Sequence, residues 1–251
     1  ATGKNPTDLS FDDTFTTDVF SIFGQYSIDL SDATELSLEG RYDKEKRSVD
    51  NNVPARSSAL YYGGGAPINP AMTAGGSKIP SRDKSYDQFQ PKISLTTTAE
   101  NTTIYASYGV GFRSGGFNSS GSAALINSQL NIPISAGLGV SDSFNKEVSK
   151  SFEVGFKGRY LDGRLAINGA LFETEVDDNQ FFEFFAGPWG LLRVVTSIDQ
   201  LDISGSELDF KYALTDSIRL DGGIGYTDGE IKKNAHRPNT VGNNAPLAPE
   251  H

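Results

Sequence analysis

Few side chains in this chain of 251 residues are placed for chemistry. His236 and His251 are its two histidines, and both stand among loop-type residues with no second ligand at a metal-site spacing. Cysteine is absent, which removes disulfides, thiolate ligands and thiol nucleophiles. Asp177-Asp178-Asn179 offers oxygens to a cation, but no further ligands follow and a polar loop is the plainer reading. Glu153, Lys157 and Arg159 alternate along one segment, as do Glu207, Asp209 and Lys211 along another. That spacing spreads charge down one face of a strand, where a glycosidase needs two converging carboxylates. These charges are expected to pair across strands on a wetted wall. The chain is expected to be no enzyme and to need no cofactor or metal. Ligand contact is assigned instead to Arg113, Phe117 and Asn118 at the top of one strand, and to Phe182, Phe185 and Trp189 in an aromatic stretch. Exposed apolar patches of that kind mark interaction sites. Each group has a structural alternative: a glycine-permitted turn at Gly115-Gly116, or strands that continue and pack their aromatics on neighbouring chain.

The elements that carry these residues show strict period-two alternation, the mark of a strand with two different faces. Phe20, Ile22, Tyr26, Ile28 and Leu30 share one face, and Leu36, Leu38 and Tyr42 oppose Glu35, Glu39, Arg41 and Asp43. Phe89, Ile93 and Leu95 alternate with Gln88, Gln90, Lys92 and Ser94. Ile104, Ala106, Tyr108, Val110 and Phe112 oppose Thr103, Tyr105, Ser107 and Arg113. The pattern recurs at Phe152–Tyr160, Leu165–Leu171, Leu208–Tyr212 and Ile218–Tyr226. This makes about eight strands in four hairpins, each of roughly the 9–11 residues that a tilted membrane strand requires. Links inside hairpins are short, around Ser31, Ala99, Asp162 and Thr215; those between hairpins are long, near 49–85, 115–146, 177–197 and 230–245. Irregular loops of that length are uncommon in compact soluble domains. Short turns at one end and long loops at the other are the asymmetry of outer-membrane barrels. Tyr160 and Tyr212 then fall at the short-turn interface, and Phe20, Tyr42, Phe89, Phe112 and Tyr226 towards the other, as aromatic girdles.

Composition agrees. A net charge of −10 offers no basic stripe for nucleic acid. The chain holds 27 glycines, 16 phenylalanines and 10 tyrosines beside one methionine and one tryptophan, a usage that favours strands and turns. Mean hydropathy is −0.37 and no apolar run is long enough for a membrane helix, but alternating strands escape that measure. Ala1-Thr2-Gly3-Lys4 has no apolar core of a signal peptide. The fold class is therefore all-β, a transmembrane antiparallel up-and-down barrel with about 8–10 strands in this stretch. A soluble sandwich is the alternative from the same pattern.

Several segments resemble one family. Ile104-Tyr105-Ala106-Ser107-Tyr108-Gly109-Val110-Gly111-Phe112-Arg113-Ser114-Gly115-Gly116-Phe117-Asn118 is the most specific. Phe89-Gln90-Pro91-Lys92-Ile93-Ser94-Leu95, Glu147–Lys157, Arg164–Glu173, Gly205-Ser206-Glu207-Leu208, Gly225–Ile231 and Gly242–Glu250 follow in the family's order. Together they resemble the barrel of TonB-dependent receptors over residues 15–251. The resemblance implies that residues 1–251 form part of a barrel of about 22 strands, closed by a plug, and that the plug, the early strands and the last strands lie outside this sequence. It further implies energy-coupled import of a scarce nutrient: a ferric siderophore, haem, cobalamin or an oligosaccharide. The implied partners are the TonB-ExbB-ExbD complex acting through the plug, outer-membrane lipid, the small-molecule nutrient and a capping surface lipoprotein, with no nucleic acid. A passive porin-like or small structural barrel is the alternative.

Overall fold

A computed structural model describes residues 11–53, 69–72, 78–129, 140–187 and 190–246. Eight strands form one antiparallel sheet: β1 (Asp13–Ser31), β2 (Thr34–Asn51), β3 (Arg82–Ala99), β4 (Thr102–Arg113), β7 (Glu147–Tyr160), β8 (Leu165–Gly187), β9 (Gly190–Ala213) and β10 (Arg219–Lys233). They lie in chain order, each paired with its sequence neighbour. A two-stranded ribbon, β5 (Gly116–Phe117) with β6 (Ser143–Phe144), and helix α1 (Ser122–Gln129) fill the connection between β4 and β7. Among the described residues the large sheet is open, with β1 and β10 at its edges.

Register explains the inclination of the wall. One row of directly paired residues runs Ile28, Leu36, Leu95, Ala106, Val154, Leu171, Ser206, Tyr226. It starts at the short-turn end of the apolar band on β1 and finishes at the long-loop end of that band on β10. The band therefore slips by about one residue per strand; with ~3.3 Å per residue and ~4.8 Å between strands, the strands incline by about 35° to the membrane normal. That is the tilt of a barrel wall.

The two faces have opposite chemistry. Phe20, Ile22, Tyr26, Leu38, Phe89, Ile93, Ile104, Phe152, Leu171, Leu208 and Ile224 are exposed on the outer face. Among the described residues no second apolar layer covers them, whereas in a sandwich the aromatic faces would meet in an interior. The inner face carries Arg41, Asp43 and Gln90 in one polar network, with Arg41 Nε 2.7 Å from Asp43 Oδ2 and Gln90 donating to the same carboxylate at 2.5 Å. Lys92 pairs with Glu39 at 3.2 Å.

Four expectations change. Strands run from 12 residues in β4 to 24 in β9, well beyond the 9–11 needed to cross lipid. The segment 177–197 is a β-hairpin, with β8 reaching Gly187 and β9 starting at Gly190, because its phenylalanines and valines satisfy strand preferences. Strands likewise invade the connections at 49–85, up to Asn51 and from Arg82, and at 230–245, up to Lys233. The connection 115–146 holds a helix that a strand-rich composition hid. Finally, Glu153, Lys157, Arg159, Glu207, Asp209 and Lys211 do share the inner face, but none makes an ion pair among the described residues. Glu153 accepts the Tyr105 hydroxyl at 2.6 Å, the Lys157 ammonium lies over the Tyr105 ring, and Asp209 accepts from Asn168 at 2.9 Å. Neutral hydrogen-bonding partners stand nearer than the opposite charges.

Candidate ligand vestibule

Above the apolar band the strands leave lipid and the alternation changes phase. On β8, Val176 is buried on the inner face, yet beyond it the odd residues Phe181 and Phe185 turn inward. On β9, Leu192, Val194, Thr196 and Ile198 are buried at every second position, then Leu201 at the third. The half-turn is made at Asp178, a non-glycine residue with φ 52°. Burial holds the Asp178 carboxyl above the usual aspartate range, Asp199 and Asp177 add to that, and the Asn145 hydrogen bond opposes it. On the outer face Lys150 Nζ bonds Glu175 at 2.7 Å and Asp177 at 2.9 Å, contacts that raise the lysine's pKa. Asp177 is thus committed to an ion pair, and no group of three or more metal-type ligands gathers among the described residues.

The β4–β7 connection folds over the inner face of the wall and joins its two sides. On one side Asn118 donates to Val195 O at 2.9 Å and accepts from Val195 N at 2.8 Å, while also donating to Ser141 O at 2.7 Å. Leu125 and Ile126 of α1 pack with Leu192, Val194 and Phe185 on the hairpin. On the other side Tyr86 of β3 donates to Phe144 O at 3.1 Å, and its burial pushes the phenol pKa up. Gly115 lies where any Cβ would meet the Tyr86 ring. The Asp13 carboxylate accepts from Asn51 Nδ2 at 3.1 Å and from Ser120 N at 2.8 Å. Asn69 donates to Ser120 O at 2.9 Å. Asp142 caps the start of α1, accepting from Gly121 N and Ala123 N, each at 2.9 Å. Arg82 places Nη1 3.6 Å from Asp142 Oδ2 and its guanidinium 5.2 Å from the Phe117 ring centroid.

The six sequence candidates scatter over this assembly. Phe117 sits under Arg82. Asn118 is buried and its amide is spent on backbone. Arg113 lies 3.6 Å from Glu147, whose carboxylate also accepts from Gln180 N at 2.6 Å. Phe185 belongs to the inner apolar cluster. Phe182 lies on the opposite face of the hairpin, with Arg193 4.7 Å above its ring and Phe184 edge-on to it. Trp189 and His251 lie outside the described residues. His236 lines a small cleft with Phe181, Glu183 and Arg237, and the last two form an ion pair. Sequence reasoning passed over Asp13, Asn51, Arg82, Ser120 and Asp142, which hold the vestibule together. The one available signal was Ser119-Ser120-Gly121-Ser122, a helix-start signature ahead of Ala123.

An inclined wall, apolar outside and polar inside, with a folded segment across its inner face, is the architecture in hand. A family model described as TonB dependent receptor-like, beta-barrel matches residues 1–251. The chain belongs to the TonB-dependent receptor β-barrel family. It is a stretch of outer-membrane barrel wall. A relative, the probable TonB-dependent receptor BfrD of Bordetella pertussis, is 26% identical over 242 residues, covering 94% of this chain and 27% of the relative. The probable TonB-dependent siderophore receptor PiuA of Acinetobacter baumannii is 24% identical over 216 residues, covering 85% and 24%. The chain thus spans about a quarter of the length of these TonB-dependent receptors. Among solved structures, the ferric yersiniabactin uptake receptor FyuA of Yersinia pestis superposes with a TM-score of 0.65 at 16% identity, over 95% of this chain and 30% of that one. The unliganded ferric citrate transporter FecA gives 0.60 at 17%, over 96% and 30%. At these identities the structural likeness shows the fold alone.

Proposed function

We propose that the whole receptor imports a scarce nutrient across the outer membrane, with an iron chelate as the first candidate, and that TonB-ExbB-ExbD supplies the energy. The observation that supports this reading is the described part of the β4–β7 connection, 116–129 and 140–146, packed on the inner side of the wall at its long-loop end: a wall built for open passage has no need of such a cover, whereas a binding vestibule needs shaped, convergent walls. Family membership and the siderophore name of one relative support the choice of cargo. Haem, cobalamin and oligosaccharides are the other cargoes for the same architecture.

Deletion of the gene in its native host, followed by growth and labelled-iron uptake under iron limitation, tests the proposal. Uptake is expected to fall in the deletion strain and to stop in the parent when a protonophore is added. Uptake that continues under the protonophore would make the protein a passive pore. Unaltered growth on iron chelates, haem, cobalamin and defined glycans would remove import altogether.

A further inference from the structure

The outer face of the wall is not evenly filled. Across β4, β7, β8, β9 and β10 it holds an apolar groove of about 580 Å³. Phe156 and Leu171 wall it on one side, Leu208, Ile224 and Tyr226 on the other, and Gly169 and Ser206 lie along its floor. The Phe156 ring leans over Gly169, where any Cβ would come 2.6 Å from the ring edge, so a side chain there would displace the ring and fill the groove. Leu171, Leu208, Ile224 and Tyr226 are all exposed, inside the apolar band that an outer-membrane barrel immerses in hydrocarbon.

The floor has a direction. Gly158 pairs with Ile167, two residues short of Gly169, and Gly169 pairs with Leu208, two residues from Ser206. Each step from Gly158 to Gly169 to Ser206 thus crosses one strand, ~4.8 Å, and climbs two residues, ~6.6 Å. That diagonal makes about 36° with the strands. Because rows of paired residues climb towards β10, it turns back through the strands' own inclination of about 35° and runs along the membrane normal. Its length of about 16 Å is one leaflet of a ~30 Å hydrocarbon core. At its foot, on the short-turn side, the Tyr160 ring covers Gly158 and the Tyr160 hydroxyl shares a hydrogen bond of 2.8 Å with Thr102 Oγ1. Two hydroxyls joined by one hydrogen bond leave one O–H to donate elsewhere. Beyond the other end, Glu173 and Asp228 follow two residues after Leu171 and Tyr226 on the same face. Carboxylates there repel the phosphates of a lipid in the outer leaflet.

Hydrocarbon gives one apolar surface no advantage over another, so a lipid is held only where shape and a polar contact favour it. A straight groove along the normal suits a straight saturated chain, which touches both walls where a flat face would touch one side. A cis double bond bends a chain out of such a groove. We propose that this groove is a site for one saturated acyl chain of a phospholipid from the periplasmic leaflet, with its ester carbonyl accepting the spare proton of the Thr102–Tyr160 pair. The groove is continuous with the lipid-facing wall, the hydroxyl pair sets the headgroup at the short-turn end, and the carboxylates beyond the other end turn away a lipid A phosphate. The site stands apart from the import reading and uses no residue of the vestibule.

Native mass spectrometry of the full-length receptor in detergent, titrated separately with dipalmitoyl phosphatidylethanolamine, dioleoyl phosphatidylethanolamine and lipid A, tests the groove. The first dipalmitoyl lipid is expected to bind about tenfold tighter than later copies, and tighter than either competitor by a similar factor. Ser206→Leu fills the floor while keeping the face apolar, and is expected to erase that preference. Leu38→Phe, which adds bulk to the same face on β2 outside the groove, is expected to keep it. Heat-modifiable gel migration confirms that each variant barrel is folded. A dipalmitoyl lipid carrying a diazirine along its chain is expected to label residues 169–171 and 204–208 in wild type and to lose that label in Ser206→Leu. Equal affinities for every lipid, a preference that survives Ser206→Leu, or tighter binding of lipid A would each overturn the site. So would paired receptors that separate in Ser206→Leu, since a second barrel would then be the occupant.

Discussion

The same strands behave in two ways along their length. Within the membrane band most large apolar residues point outward: Ile224 is 73% exposed and Tyr26 67%. Beyond the band many gather inward, while Phe184 and Leu191 stay exposed. Val49, Val53, Met72, Ile79, Leu125, Ile126, Val176, Leu192, Val194, Ile198, Leu201 and Ile231 are all buried, and all lie on the long-loop side of the aromatic ring at Tyr42, Phe89, Phe152 and Tyr226. The difference teaches that hydrophobicity does not select inside or outside; it selects the less aqueous neighbour. Where lipid surrounds the wall, the outer face is the favourable place. Where water surrounds the hairpins, the chain must build small cores of its own.

The comparison can be broken most sharply in the wall. Ile224→Arg on an ordinary wetted surface would cost within about 0.5 kcal/mol. On the lipid face, two residues inside the aromatic ring at Tyr226, it should cost about 1–3 kcal/mol, read from urea unfolding of the full receptor folded into vesicles. A near-neutral result would end the claim that this face meets hydrocarbon. The outer region is expected to answer to hydrogen bonds instead. Asn118→Ala removes the amide that both accepts from and donates to Val195, leaving buried backbone unpaired at about 2 kcal/mol. Its signature is amide exchange at Val195 faster by more than tenfold, with the strands inside the membrane band unchanged. Spread of the effect into that band would mean that the two regions fold as one unit.

The smallest effect belongs to the half-turn between them. A carboxyl whose folded pKa lies above its unfolded value costs stability once ionised, so Asp178 penalises the hairpin at neutral pH. The cost disappears as pH falls through the raised value and below the ordinary aspartate range near ~3.9. Asp178→Asn should therefore protect residues 176–187 by a few tenths to about 1 kcal/mol at pH 7. Most of that gain should fade in acid; a small remainder persists, because asparagine tolerates positive φ. A gain that is constant with pH would assign it to backbone alone.

The wall was legible in the sequence because lipid outside and water inside impose alternation residue by residue, from Leu36-Ser37-Leu38 to Leu208-Asp209-Phe210. The register shows the chain-order pairing, with Tyr42 beside Phe89 and with Tyr160 and Tyr212 on either side of Leu165. Phe181-Phe182-Glu183-Phe184-Phe185 was harder: two pairs of phenylalanines put aromatics on both faces and hide the period, and the phase change at Asp178 falls just before them. Arg82 was missed for a different reason. Its environment is assembled from β1, β2, β3 and the connection 115–146, and local spacing carries no record of such meetings. Asn118 was chosen for its place in a family-like segment, and that place is a tether between loop and hairpin.

The half-turn at Asp178 has a consequence for how such a receptor can vary. Below it, one inserted residue would send every following side chain of the strand to the wrong medium. Above it, the facing pattern is set anew, so the hairpin tip answers only to its own small core. Change in the tip need not be negotiated with the bilayer, and a transporter can acquire a different external specificity while its hull stays watertight.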